Sequence, residues 1–197
     1  MPECRIVNDL GSLSPKQWSE LDFNNNPFLS YAFLQGLEQY QCLSHQYWHP
    51  QHLVIEEHDR LLGVMPLYIK QDSYGEFVFD WAWADACQRA GRQYYPKLVS
   101  AIPFTPVSGS RLLINRSADR EVVQDKLINA AKSFMGENSF SSLHVLFPDT
   151  TSVDALIRNG GMRRLTCQFH WFNNDYRDFS DFTDALTSKK RKQILTE

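Results

Sequence analysis

The sequence predicts a mixed α/β (α+β) domain in which a mainly antiparallel sheet is flanked by helices. Three observations carry that prediction. The runs His52–Glu57, Leu61–Lys70 and Ser73–Trp81 follow one another with only short polar breaks, as in an antiparallel meander. Asp119–Met135 places Val123, Leu127, Ala130, Ala131, Phe134 and Met135 on one stripe, with Gly136 at its end, as in an amphipathic helix. Beyond it, strands and helices alternate, so later strands return by crossovers and the sheet becomes mixed.

The elements are justified in chain order. Cys4–Val7 reads as a short first strand. Ser14-Pro15 is a cap followed by proline in the first turn of a helix over Lys16–Phe23. Asn24-Asn25-Asn26-Pro27 is a loop, and Ser30 caps a helix carrying Phe33, Leu34, Leu37 and Tyr40. Leu61–Lys70 is apolar on both faces and therefore central. Pro66 within it donates no ladder bond, which predicts a bulge or splaying. Tyr94–Ala101 is assigned to a short helix, Ile102–Ser110 to a structured loop and Arg111–Ile114 to a strand. Leu143–Phe147 is a buried strand, and Ser152–Asn159 is a helix closed by Gly160-Gly161. Arg163–Asn173 is expected to be a long strand. Asp181–Leu186 and the basic SKKRKQI segment are helical.

Bulk properties exclude several function classes. At 197 residues the chain holds one domain, or one domain and the start of another. A net charge of −3 gives no global attraction to nucleic acid or anionic lipid. Cys4, Cys42, Cys87 and Cys167 form no CxxC pair, so free thiols in a reducing compartment are expected rather than a zinc or redox motif. There is neither a basic-then-apolar leader pattern nor a membrane-length apolar run, and a cytoplasmic protein is expected.

The chemistry concentrates between residues 73 and 113. Eight of the 26 aromatic residues fall between Tyr74 and Phe104, interleaved with Glu76, Asp80 and Asp85. Two readings stand: a lined cleft, or an aromatic core whose acids point to water. Strand alternation over Ser73–Trp81 puts Tyr74, Glu76, Val78 and Asp80 on one face and Phe77, Phe79 and Trp81 on the other. Glu76 and Asp80 are then about 13 Å apart, at two ends of one wet groove. Thr105, Ser108 and Arg111 offer donors to a phosphate or carboxylate, or else stiffen their own loop. His45, His49 and His52 read as a surface loop rather than a metal site, since Pro50 breaks the helix that would align them. No metal site is expected. His144 reads as a core histidine and His170 as a candidate base. Lys189–Lys192 is a solvated helix face, or a contact for phosphates.

The motifs NPFLSYAFL (Asn26–Leu34), SYGEFVFDWAWADA (Ser73–Ala86), YYPKL (Tyr94–Leu98), PFTPVSGSRLL (Pro103–Leu113), SSLHVLF (Ser141–Phe147), QFHW (Gln168–Trp171) and TSKKRKQI (Thr187–Ile194) resemble the FemAB-like family of N-acyltransferases, described as peptidoglycan biosynthesis or recognition proteins. The resemblance spans nearly the whole chain. It implies an acyl-CoA N-acyltransferase (GNAT) fold, with residues 1–177 forming a GNAT-like N-terminal domain and 178–197 beginning a second such domain that continues beyond Glu197. It also implies transfer of an acyl or aminoacyl group from acyl-CoA or aminoacyl-tRNA to an amine on a small molecule or peptide. No tightly bound cofactor is implied, with acyl-CoA serving as co-substrate and tRNA as a partner. Under that implication Glu76, Asp80, Asp85 and His170 are acid/base candidates. Tyr74, Trp81, Trp83 and Tyr94 line the cleft, and Thr105, Ser108 and Arg111 bind substrate. Gln88, Arg89, Gly91 and Arg92 partly match the [QR]xxGx[GA] loop that holds the CoA pyrophosphate at a helix N-terminus, or else they close a helix at Gly91 with Arg92 opening the next element. The alternative is a non-catalytic domain that binds a peptide or a peptidoglycan precursor.

Overall fold

A computed structural model describes residues 2–43, 48–167, 169 and 171–196. They fall into two compact units, Met1–Arg163 and Arg164–Glu197, a division upstream of the one expected after residue 177.

Unit one contains two sheets. The first is built from β1 (Glu3–Val7), β4 (His52–Glu57), β5 (Arg60–Met65), β8 (Leu113–Asn115) and β2 (Leu21–Asp22), in that spatial order and antiparallel throughout. The second orders β3 (Trp48–Pro50), β6 (Tyr68–Lys70), β7 (Lys97–Ser100) and β9 (Leu143–Val145), with β7 and β9 parallel and the other pairs antiparallel. The mixed, mainly antiparallel α/β architecture is therefore as the sequence predicts. His58 and Asp59, both at positive φ, make the two-residue turn between β4 and β5, the geometry that matches strand twist. The run expected as one strand over 61–70 is divided. Pro66 has no N–H to give the ladder, and beyond it β6 leaves the first sheet for the second.

The first sheet is covered on both faces. α4 (Arg120–Glu137) lays Val123, Leu127, Ile128 and Ala131 against Leu53, Ile55, Met65 and Ile114. Asp119 caps α4 by accepting from Val122 N–H at 3.2 Å. Gly63 lets the helix approach, since a Cβ there would lie 2.5 Å from Val123 Cγ1. On the other face Trp18, Leu21, Leu29 and Leu34 meet Val54, Val64 and Leu113, and Trp18 Nε1 donates to Leu29 O at 3.0 Å. α1 (Pro15–Trp18) stops short of the helix expected to residue 23, because Leu21 and Asp22 pair with β8 instead. α2 (Tyr31–Gln39) starts at Ser30, whose Oγ accepts from Phe33 N–H. α5 (Thr150–Arg158) is capped by Asp149 and closed by Gly160 at φ +82°.

Besides the strand expected over 73–81, which is a loop up to residue 80, two further expected elements are absent among the described residues. Residues 94–101 hold no helix. Lys97–Ser100 is β7, because pairing with β6 and β9 on either side overrides local propensity. The long strand over 163–173 is not formed, and its described residues are exposed. Unit two consists of that segment, α6 (Phe179–Asp184) and α7 (Ser188–Thr196), and Arg191 ties the helices by donating to Thr183 O and Asp184 O. No described helix is long and apolar enough to cross a membrane.

Candidate functional site

The second sheet ends in two lysines. Lys70 on β6 and Lys97 on β7 are register partners, so their side chains rise from the same face. Two cations cannot share a buried position without anions. The following loop, residues 71–80, supplies them. It was expected to be a strand, but Gly75 at φ +77° and Phe77 at φ +56° turn it back on itself. At Gly75 a Cβ would sit 2.8 Å from the Phe104 ring, so the turn packs closely under that side chain.

This folding brings Glu76 and Asp80 together rather than about 13 Å apart. Lys97 Nζ donates all three protons, to Glu76 Oε2 at 2.9 Å, Asp80 Oδ2 at 2.7 Å and Ser73 Oγ at 2.9 Å. Tyr94 Oη donates to Asp80 Oδ2 at 2.7 Å, and Ser73 Oγ shares a bond with Tyr95 Oη at 2.7 Å. Lys97 also lies 5.2 and 5.5 Å from the rings of Tyr94 and Tyr95. Beside this cluster Lys70 donates to Asp72 Oδ1 at 2.8 Å and to Tyr74 O at 3.0 Å, under the Trp48 ring. Lys97, Glu76 and Asp80 are fully buried. The expectation that these two acids line a wet cleft is thus corrected: the turn points them inward.

Two buried cations face three carboxylates, and the surplus anion shows in their acidities. Burial raises Glu76 to about 7 despite the opposing pull of Lys97, and the negative charge of Asp80 adds to the rise. Burial also acts on Asp80, but the donors of Lys97, Ser73 and Tyr94 outweigh it and hold Asp80 below its usual value. Burial and the bond to Asp80 raise Tyr94. Burial lowers Lys70.

A groove of about 530 Å³ opens beside the cluster, between α3 (Trp81–Arg89) and the Tyr94-Tyr95 pair. Trp81, Ala84, Asp85, Gln88, Arg92, Gln93, Tyr94 and Tyr95 line it. Expected site residues from three roles therefore converge here: Asp85 from the acids, Trp81 and Tyr94 from the cleft lining, Gln88 and Arg92 from the cofactor loop. Asp85 is held by Arg89 at 3.2 Å in an exposed pair one helical turn long. Tyr94 joins the groove to the buried cluster through Asp80. Tyr74 and Trp83 lie outside the groove lining and are exposed.

Two expected binding elements take other roles. Residues 88–93 form the C-terminal end of α3: Gly91 N–H bonds Gln88 O and Arg92 N–H bonds Cys87 O, with Gly91 at φ +68°. Helix C-termini present carbonyls and a partial negative charge, which repel a pyrophosphate. Gln88, Arg89, Gly91 and Arg92 therefore do not form the anion cradle that the motif suggested. Arg111 is buried and its guanidinium is spent on carbonyls: Nε on Leu146 O, Nη1 on Gly109 O and Ser110 O, Nη2 on Val107 O. Burial pulls it down to about 10. Thr105 Oγ1 donates to Pro103 O within its own turn, and the Ser108 carbonyl accepts from Asn26. Thr105 and Arg111 thus brace the 102–110 loop rather than face a ligand, while Ser108 is exposed and lies outside the groove lining.

His170 and His45 lie outside the described residues. His52 is a core residue: Nδ1 accepts from Leu67 N–H at 3.1 Å while Nε2 meets Glu38 Oε1 at 2.7 Å. No group of three or more metal-ligating side chains occurs among the described residues. Sequence reasoning missed Lys97 and Lys70. Their signal was a lysine at the end of an apolar strand on either side of an acid-rich loop.

A family model described as FemAB-like, peptidoglycan biosynthesis/recognition, matches residues 9–197. The chain belongs to the FemAB-like family. Among solved structures, this FemAB-like chain resembles a ribosomal-protein-alanine N-acetyltransferase from Brucella melitensis biovar Abortus 2308, at 9% identity and TM-score 0.52, covering 88% of this chain and 100% of that one. At that identity the likeness shows the fold, which is of the N-acetyltransferase (GNAT) type. An aminoglycoside 6'-N-acetyltransferase from Acinetobacter haemolyticus also aligns, at 15% identity and TM-score 0.47, over 88% of this chain and 99% of that one. No curated protein matches the sequence.

Proposed function

We propose that this FemAB-like chain serves N-acyl transfer in the cytoplasm as the part that holds the acceptor. Its groove beside α3 takes an amine-bearing peptide or peptidoglycan precursor. The acyl or aminoacyl group arrives on acyl-CoA or aminoacyl-tRNA. The observation that carries this reading is the groove itself, in which Trp81, Tyr94 and Tyr95 offer apolar faces and Gln88, Arg92 and Gln93 offer donors. Placing the donor elsewhere has its own support. The groove ends at a helix C-terminus, and the N-termini of α4 and α5 are occupied by the carboxylates of Asp119 and Asp149.

Calorimetric titration with a lysine-containing muropeptide and, separately, with acetyl-CoA tests the assignment. Saturable heat from the muropeptide, weakened about tenfold by Trp81→Ala, is expected. Saturable binding of acetyl-CoA with none of the muropeptide would overturn it.

A second reading, catalysis in the same groove, is favoured by Asp85, a carboxylate in the groove lining where an incoming ammonium could lose its proton. Asp85→Asn would then lower turnover while leaving muropeptide affinity unchanged.

A further inference from the structure

The segment that builds the site is inverted relative to an ordinary surface loop. Its sequence from residue 74 to 83 is Tyr-Gly-Glu-Phe-Val-Phe-Asp-Trp-Ala-Trp. Its two charges, Glu76 and Asp80, are turned inward onto Lys97. Its rings are turned outward: Tyr74 is 62% exposed, Phe77 53%, Phe79 74% and Trp81 57%. Trp83, one residue beyond the next alanine, is exposed as well. The flanking charges are matched locally, Asp72 by Lys70 and Asp85 by Arg89. The result is an outward aromatic face, in which the Trp81 ring meets those of Tyr74 and Phe79 at 6.5 and 5.7 Å and residues 74–83 present no outward charge.

Folding gains nothing from such a face, and contiguous exposed apolar patches mark interaction sites. We propose that this face docks the protein on an uncharged, zwitterionic lipid interface, with Phe77 and Phe79 entering the headgroup boundary beside Tyr74 and Trp81. Charge complementarity argues for that occupant. An anionic surface would need several basic residues around the rings; Arg89 is engaged by Asp85, which leaves Arg92 of the groove lining as a single cation beside Trp81. The rings form no flat stacking platform. Tyr74 and Trp81 are inclined at 54°, and Phe79 and Trp81 at 65°. Residue chemistry agrees, since Trp and Tyr have an apolar body and a polar tip suited to the headgroup level. The face adjoins the groove through Trp81, so docking would set the groove opening beside the lipid.

The test is flotation of the full chain with vesicles of pure phosphatidylcholine, at low and high salt. Bromine-labelled lipid quenching of tryptophan is read in parallel. The probe variant is Phe77→Asn with Phe79→Ser. It leaves the groove lining intact, and asparagine accepts the positive φ at position 77. The expected result is partitioning that salt does not weaken, accompanied by quenching and reduced about tenfold in the variant. Trp171→Phe should leave the quenching in place.

Absence of partitioning by the native chain overturns the proposal. So does equal partitioning by the variant, or partitioning only with anionic vesicles and only at low salt, which would assign it to the basic residues of α7. Concentration-dependent dimerisation abolished by the variant, without vesicle binding, would make the face a contact between two copies and likewise overturn it. Muropeptide titration is unaffected by any of these outcomes, so this inference and the acceptor reading fail separately.

Discussion

Glu76 should make this protein less stable as the pH rises through neutrality. Its carboxyl is raised from 4.5 to about 7 in the folded chain by burial. Each tenfold change in acidity is worth about 1.4 kcal/mol, so ionising Glu76 costs about 3 kcal/mol more in the folded than in the unfolded chain. The folded state binds the proton more tightly, so between these values the unfolded state carries fewer protons and stability falls with pH. The contribution is complete below 4.5 and is lost as pH passes 7. Asp80 has the opposite sign. Its lowered pKa contributes stability above the ordinary value of 3.8, lost only at more acidic pH, outside the window. Urea unfolding followed by the fluorescence of buried Trp18 and Trp48 should show the native chain losing about 2 kcal/mol between pH 5 and pH 8. Glu76→Gln cannot titrate and should lose less than half as much. Parallel pH dependences in the two proteins, or stability rising with pH across this window, would refute the reasoning.

Lys97→Met strands two buried carboxylates and should cost about 3–5 kcal/mol in chemical denaturation, while adding Glu76→Gln and Asp80→Asn should restore much of it. Gly63→Ala drives a methyl to 2.5 Å from Val123 and should cost about 1–3 kcal/mol, with partial recovery in Gly63→Ala/Val123→Ala. Phe79→Ala should change stability by no more than about 0.5 kcal/mol, because the ring is largely exposed; a melting temperature lowered by many degrees would place it in a core instead.

Much of the fold was legible because its elements are patterned by local rules. The β4–β5 hairpin, the α4 stripe, the Ser30 cap and the Pro66 interruption each follow from residue chemistry within a few positions. The family resemblance was carried by the same local strings. The candidate site was only half legible. The density of acids and aromatics marked residues 73–94 as the place, and Asp85, Trp81 and Tyr94 do line a groove there. Alternation grouped Glu76 with Asp80 and Phe77 with Phe79, as the structure does, but took the acids' side for the wet one; the turn at Gly75 and Phe77 points that side inward.

What the sequence determined by itself is the β4–β5 hairpin and the α2 and α4 helices, whose apolar residues alternate or stripe locally, whereas β2, β7 and the division into two sheets came from pairing with distant strands. Only the tertiary structure decided what the charges do. Lys97 reaches Glu76 and Asp80 across more than fifteen positions, because β7 sets it against the turned-back loop. A buried cation binds whichever anions the fold brings within about 3 Å, and no local pattern encodes that distance.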